Sequence, residues 1–346
     1  MNGETTMRAL RLQAIGRLEA VEVPIPRPMP DEVLVRTAAA TICTSDLNDI
    51  ARNPFGIALP RVLGHEGAGV VAAAGGDVRG FKPGDRVAAH PVIPCRGCVN
   101  CRRGLGHLCS RMGHLGLDRD GTFAEYFRIR SDRVRRIPPE VEFPAAALLE
   151  PVAVCLEAVE RARIEPGDAV LVVGDGPFGI IIARLAASRR PERLVLVGRH
   201  EFRLRQVPEA VAIDEKRTAD VAAAVLAATD GAGADAAIMA AGTQSALDLC
   251  LGSLRARGRA VVFSAIEGPA RFDLFRLHTR ELEILGACND QDLIDPALER
   301  LGDPALALAS LVTHRLPFDR WPDAFDLARR RKDEALKVAL VFEGVA

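Results

Sequence analysis

Leu171-Val172-Val173-Gly174-Asp175-Gly176-Pro177-Phe178-Gly179, followed without a break by the run Ile180 to Ala187, decides the fold of the second half of the chain. A short apolar strand enters a glycine-rich turn and leaves it as a helix. Gly174, Gly176 and Gly179 permit a tight turn and close backbone approach to a pyrophosphate, which would sit at the helix N-terminus beside Pro177 and Phe178. A bare G-x-G-x-x-G is a weak signal whose bland alternative is a structural turn; the strand and helix around it make it a dinucleotide-binding signature.

Working outward, short apolar runs at Ala169–Val173, Leu194–Val197, Asp235–Ala240 and Ala260–Phe263 alternate with longer Ala-, Leu- and Arg-rich stretches. That alternation predicts βαβ units and a doubly wound parallel sheet over residues 154–290. The second of these strands ends at Gly198-Arg199-His200, where a dinucleotide site meets the adenosine ribose. Gly198 brings no carboxylate to repel a 2′-phosphate, and Arg199, with Arg203, can grip one, so NADP(H) is expected over NAD(H). The competing reading of Arg199 is a solvated side chain in an arginine-rich protein. Pro208 interrupts the segment from His200 to Asp214, so the ribose pocket is expected to be irregular.

Residues 7–150 have another texture, with short β-branched runs such as Val33-Leu34-Val35 and Val70-Val71 punctuated by Pro-Gly and Gly-Asp turns. They read as a mostly β domain. A helix near Ala324–Arg331 and a strand at Leu336–Phe342 are expected to pack back on it, giving one domain from residues 1–153 and 291–346. The chain of 346 residues, half hydrophobic and a quarter charged, is long enough for two cores without disulfides. A net charge of −1 and only fifteen aromatic residues argue against a nucleic-acid partner. No apolar run reaches the ~20 residues of a membrane span, and the first ten residues lack the apolar core of a secretory signal. A cytoplasmic location follows as an expectation, and with it thiols or metal ligands rather than disulfides.

Cys95, Cys98, Cys101 and Cys109 form C-x2-C-x2-C-x7-C, a spacing that lets four thiolates close a tetrahedral shell around one structural zinc. An iron–sulfur cluster is the main competitor, but there the fourth cysteine follows three residues on and precedes proline, whereas Cys109 precedes Ser110. A catalytic zinc needs a separate set of about three ligands and an open position. Cys43 in Cys43-Thr44-Ser45-Asp46, His65 and Glu66 in Gly64-His65-Glu66-Gly67, and Glu150 in Leu149-Glu150-Pro151 are the candidates. Singly, each has a bland reading as a core or surface group.

Together these motifs, in this order from about Met7 onward, resemble the zinc-dependent medium-chain dehydrogenase/reductase family. The resemblance implies a GroES-like catalytic domain beside the Rossmann cofactor domain and two zinc ions per chain. It implies that Cys43, His65 and Glu150 hold the catalytic zinc, with Glu66 an adjacent carboxylate able to enter or leave the shell. It makes Asp46 the acceptor that orients His65 and Ser45 the hydroxyl that begins proton transfer. Many relatives carry a relay histidine where this chain has Asn48, which cannot ionise, so water and cofactor hydroxyls would take its part. Glu150, in place of a cysteine, resembles the polyol and threonine dehydrogenase branch, so a polyol, cyclitol or similar polar alcohol is the expected substrate. Phe55, Ile57, His114, Leu115, Asn289 and Asp290 are expected along a cleft between the domains, and a homodimer or homotetramer is implied. The alternatives are a zinc-independent quinone or enoyl reductase of the same superfamily, which generally lacks both metal motifs, and a nicotinamide-binding sensor without turnover.

Overall fold

The computed structural model describes residues 5–264, 266, 268–330 and 334–345. The chain divides into two compact units, one of residues up to Val152 together with those from Ile294 on, the other Ala153–Leu293.

In the first unit the strand Glu32–Thr41 is buried on both faces apart from Arg36, which is why it reads as a nearly unbroken apolar run rather than an alternating one. It lies inside a seven-stranded sheet, between Glu66–Ala74 and the C-terminal strand Lys337–Val341, with Tyr126–Arg130 also pairing along it. Both of those neighbours are antiparallel to it, and the registers set Thr41 opposite Glu66 on one side and opposite Ala339 on the other. Three segments distant in sequence thus meet at one end of one strand. A three-stranded sheet of Arg17–Pro24, Thr6–Ala14 and Arg61–Val62 lies apart from it. Val33, Val35, Val71, Val87, Phe127 and Ile129 fill one core, and Leu10, Ile42, Phe123, Phe325 and Leu340 another.

The second unit is a six-stranded, wholly parallel sheet in the order Val211–Asp214, Arg193–Gly198, Ala169–Val173, Ala234–Met239, Leu254–Val262, Glu283–Gly286. Numbered along the chain this is 3-2-1-4-5-6, the doubly wound dinucleotide-binding order expected from the sequence. The strand order reverses between Ala169–Val173 and Ala234–Met239, and the glycine turn leaves the first of these. Gly174 there has φ +122°, a conformation that a side chain would strain. Gly176 caps the helix Pro177–Ala187, whose proline stands in the first turn, where a missing N–H costs nothing.

Boundaries differ in instructive places. The fifth strand begins at Leu254, six residues before the apolar run that announces it: Leu254 pairs with Ala234 and Arg259 with Ala236, and the arginine-rich stretch between them is an irregularity in the register that breaks the apolar pattern. The strand Val211–Asp214 is not announced at all, since Val211 and Ala212 are exposed. After Gly198 the chain makes only the short helix Glu201–Leu204 before Pro208. The expected C-terminal helix runs Trp321–Arg330, and Arg331 lies outside the described residues. No described helix is long and apolar enough to cross a membrane.

Candidate active site

Cys43 caps the helix Thr44–Arg52, and Asp46 stands at that helix's third position. The Cys43 N–H donates to Asp46 Oδ2 at 2.8 Å, which fixes the carboxylate in the manner of a capping box. The other oxygen, Oδ1, lies 3.2 Å from His65 Nδ1. One buried carboxylate therefore locks both the cysteine's backbone and the histidine's ring. His65 enters from the opposite side, on a turn where Gly64 has φ +94° and a Cβ would meet Thr122 Oγ1 at 2.7 Å. Burial pushes the imidazole's pKa down, but the Asp46 charge and hydrogen bond outweigh it and hold the group well above its usual value. A ring of that basicity is a good metal ligand at its remaining nitrogen.

The ligand atoms of Cys43, His65 and Glu66 all lie within 4.8 Å of one another and all three residues are buried. A thiolate, an imidazole and a carboxylate suit zinc; magnesium or calcium would call for oxygen donors alone. Ser45 Oγ lies 3.4 Å from His65 Nε2, so the hydroxyl borders this cluster. Glu150 is buried in the first turn of the helix Leu149–Ala162 and is not among these three, though its charge acts on Lys337.

Lys337 is the residue that sequence reasoning missed. Its ammonium, 3% exposed, donates to Glu66 Oε1 at 2.6 Å and also reaches Oε2, while the Thr41 hydroxyl donates to Oε2 as well. The register that sets Thr41 opposite Glu66 and beside the C-terminal strand builds this triad. The signal was available: Lys337 is one of only four lysines in the sequence, in a chain that otherwise uses arginine, and it heads an apolar strand.

The sulfurs of Cys95, Cys98, Cys101 and Cys109 lie within 4.8 Å of one another. Cys98 Sγ is 3.5 Å from Cys101 Sγ and 3.8 Å from Cys109 Sγ. Tetrahedral bonds of about 2.3 Å to one zinc would set sulfurs about 3.8 Å apart. Backbone N–H groups of Cys95 and Arg111 donate to Cys109 Sγ and that of Cys101 to Cys98 Sγ. The N–H groups of Cys101 and Ser110 hold the Cys98 thiol down at about 5, whereas burial pushes Cys101 up to about 11.

Of the expected lining residues, Ile57 and Leu115 are core: each packs in a hydrophobic cluster, because both are almost wholly buried. His114 does stand by the site, its ring centroid 5.7 Å from that of His65, and burial pushes its pKa down to about 3. Phe55 is 65% exposed, and Asp290, in the second unit, is buried and accepts from the Leu293 N–H.

At the end of the second strand the premise of an end free of carboxylate does not hold. Asp175 of the glycine turn directs its Oδ2 to the N–H groups of Arg199 and His200, each at 2.8 Å. Arg199 is exposed but not idle: its guanidinium forks onto both oxygens of Glu215 at 2.8 and 3.1 Å. Arg203 is buried, and Phe178 packs edge-on against Phe263.

Comparison with known proteins places this geometry. Residues 29–139 match the alcohol dehydrogenase GroES-like domain and residues 177–301 the zinc-binding dehydrogenase domain. The chain is 30% identical to sorbitol dehydrogenase of Bacillus subtilis over 339 residues, 96% of each chain. Among solved structures it superposes with TM-score 0.92 on a protein of Sinorhizobium meliloti 1021 bound to NADP, at 28% identity over 98% of this chain and 100% of that one. It superposes with TM-score 0.90 on an alcohol dehydrogenase of Escherichia coli CFT073 complexed with NADH, at 27% identity over 98% and 100%. With a GroES-like domain, a doubly wound sheet and a Cys-His-Glu cluster in one chain, the protein belongs to the zinc-dependent medium-chain dehydrogenase/reductase family, as an alcohol dehydrogenase of its polyol branch.

Proposed function

We propose that the chain catalyses reversible hydride transfer between a polar secondary alcohol, a polyol or cyclitol, and a nicotinamide dinucleotide. The observation that carries this reading is the convergence of Cys43, His65 and Glu66 within 4.8 Å, with the Ser45 hydroxyl at its edge. In this reading Cys43, His65 and Glu150 hold the catalytic zinc, with Glu66 at hand, and Cys95, Cys98, Cys101 and Cys109 hold a second, structural zinc. Bound there, the catalytic ion is a Lewis acid that polarises a carbonyl oxygen or stabilises an alkoxide. Bound at the Gly174–Gly179 turn, the nicotinamide dinucleotide supplies the hydride acceptor or donor.

The remaining work falls to the chain's own side chains. Ser45 Oγ takes the proton of the substrate hydroxyl and hands one onward; Asn48 cannot ionise, so the onward path runs through water or coenzyme hydroxyls. Asp46 holds the His65 ring in the tautomer that presents Nε2 to the site. Lys337 neutralises Glu66, which restrains that carboxylate from binding metal permanently. The likeness to sorbitol dehydrogenase supports a polyol substrate. We propose further that residues 1–153 with 291–346 form the catalytic domain, residues 154–290 the cofactor domain, and that the chain assembles as a homodimer or homotetramer.

For the coenzyme, Gly198 and Arg199 favour NADP(H), and the likeness to a protein solved with NADP supports that choice. The carboxylates of Asp175 and Glu215 favour NAD(H). Two backbone N–H groups fix Asp175 in place and Glu215 occupies Arg199, so NAD(H) is the coenzyme proposed. The test is reduced-nicotinamide formation by the zinc-loaded protein across polyols, cyclitols, amino alcohols and simple secondary alcohols, with zinc counted per chain. Turnover led by polyols at two zincs per chain is the expected result; tight coenzyme binding without turnover on any alcohol would overturn it in favour of a sensor.

A further inference from the structure

We propose that Asp175, inside the glycine-rich turn, selects the coenzyme: its carboxylate fills the place of the side chain absent at Gly198, receives the adenosine ribose hydroxyls of NAD(H), and refuses the 2′-phosphate of NADP(H). The inference rests on the dehydrogenase reading above and deepens it.

Gly198 and Asp175 occupy one volume. A Cβ built on Gly198 would lie 2.4 Å from Asp175 Cβ, 2.7 Å from its Cγ and 2.8 Å from its Oδ2. Gly198 has an ordinary backbone conformation, so what requires glycine there is the neighbouring aspartate and not the turn. In a dinucleotide fold the end of the second strand is where an acid meets the ribose hydroxyls. This chain brings its acid to the same place from the first turn instead.

The carboxylate also holds the groups a phosphate would need. Its Oδ2 accepts from the N–H of Arg199 and of His200 and lies 3.0 Å from His200 Nδ1. Successive N–H groups of this kind form an anion-binding concavity, and here the anion is the protein's own. Burial raises the Asp175 pKa, but the Arg199 N–H, His200 and its N–H outweigh that, so the group is ionised at neutral pH. Among the described residues Oδ1 makes no hydrogen bond, which leaves it to accept from a ribose hydroxyl. Arg199, the cation on which a 2′-phosphate would depend, is held bidentately by Glu215. A 2′-phosphate entering here would meet an ionised carboxylate on donors already taken. Like charges so placed cost several kcal/mol, on the order of a hundredfold in affinity.

The experiment measures affinities for NADH and NADPH by nucleotide fluorescence, and kcat/KM for both coenzymes, in the zinc-loaded wild type and in D175N, D175A and D175G/G198D. D175N keeps the shape and hydrogen-bonding oxygen while removing the charge. The wild type is expected to prefer NADH by tenfold or more. D175N and D175A should move the ratio toward NADPH by about thirtyfold or more. D175G/G198D, which removes the Asp175 Cβ that a side chain at position 198 would meet at 2.4 Å and returns an acid from the strand end into the space vacated, should restore the preference for NADH and so separate charge from simple damage to the turn. Wild-type preference for NADPH, or an unchanged ratio in D175N with both coenzymes still bound, would overturn the proposal while leaving the dehydrogenase reading intact. Failure of the wild type to bind either nucleotide would overturn that reading too.

Discussion

The two metal-type clusters of this chain are built in opposite ways. The four cysteines come from one loop, residues 95–109, and their sulfurs are held by backbone N–H groups of the same loop. Cys43, His65 and Glu66 come from a helix cap, a turn and the head of a strand, and Glu66 is held in addition by Lys337, 271 residues further along. The first cluster is four like donors with no place left for a substrate; the second is three unlike donors whose neighbours include a hydroxyl, a carboxylate and an ammonium. A closed, local site adds stability to the loop that carries it, whereas a mixed, distributed site depends on sheet register and can carry chemistry.

The largest expected effect separates them directly. C43A should abolish turnover, by on the order of a thousandfold or more if the ion supplies several kcal/mol of transition-state stabilisation, while the protein remains folded and keeps the four-cysteine zinc. C98A should instead lose one zinc per chain and several degrees of melting temperature, with activity falling only as folded protein is lost. Metal content, thermal unfolding and kcat measured on both variants decide it. Equal stability loss in the two, or a C98A protein that keeps both zincs, would break the distinction.

Next in size is the buried ion pair that only the distributed cluster possesses. K337M leaves Glu66 fully buried without its cation, and removing one partner of such a pair costs about 3 to 5 kcal/mol. Urea unfolding should show that loss, and K337M/E66Q should recover much of it, because neutralising the stranded carboxylate removes the penalty. A K337M protein as stable as wild type would mean that Glu66 is carried by Thr41 alone.

The same contrast governs what was legible in the sequence. The cysteine loop is read from spacing because all four cysteines lie in one short segment. Cys43, His65 and Glu66 are readable as candidates only as motifs in order, since nothing local states that Thr41 will pair opposite Glu66. Lys337 escaped because its role is a matter of register between strands at the two ends of the chain. The alternation of strands and helices fixed the doubly wound sheet, but Val211–Asp214 escaped it because half of that strand is exposed. Asp175 escaped for another reason: at a variable position between two glycines it passes as a spacer, and only the geometry reveals that it fills the space beside Gly198.

A smaller effect tests the carboxylate that ties the distributed cluster together. D46N keeps an oxygen for the Cys43 N–H or for His65 Nδ1, but no longer a charged acceptor for both. Loss of such an outer contact typically costs 10- to 100-fold in metal affinity or activity. Chelator competition should place the loss at one zinc per chain, with the four-cysteine zinc unaffected; a uniform weakening of both would contradict the independence of the two clusters.

The smallest expected effect comes from a cost that the distributed cluster carries and the local loop lacks. Asp49, one turn beyond Asp46 on the same helix, is 3% exposed, and among the described residues its Oδ1 has no hydrogen-bond partner. Burial and the Asp46 charge raise its pKa from 3.8 to about 6. A carboxyl whose pKa is higher folded than unfolded binds its proton more tightly in the folded state, so its ionisation works against folding. The penalty is present above about pH 6 and is relieved as pH falls from there toward 4. D49N should remove that contribution to the pH dependence between 7 and 5 and raise stability at pH 7 by about 1 kcal/mol. The gain is less than the full shift implies, because a buried amide still lacks partners. Urea midpoints for wild type and D49N at pH 7 and 5 measure it. If the two proteins differ equally at both pH values, Asp49 is ionised at pH 5 as it is at pH 7, its pKa is not raised by folding, and the helix that Cys43 caps and that carries Asp46 holds no such electrostatic cost.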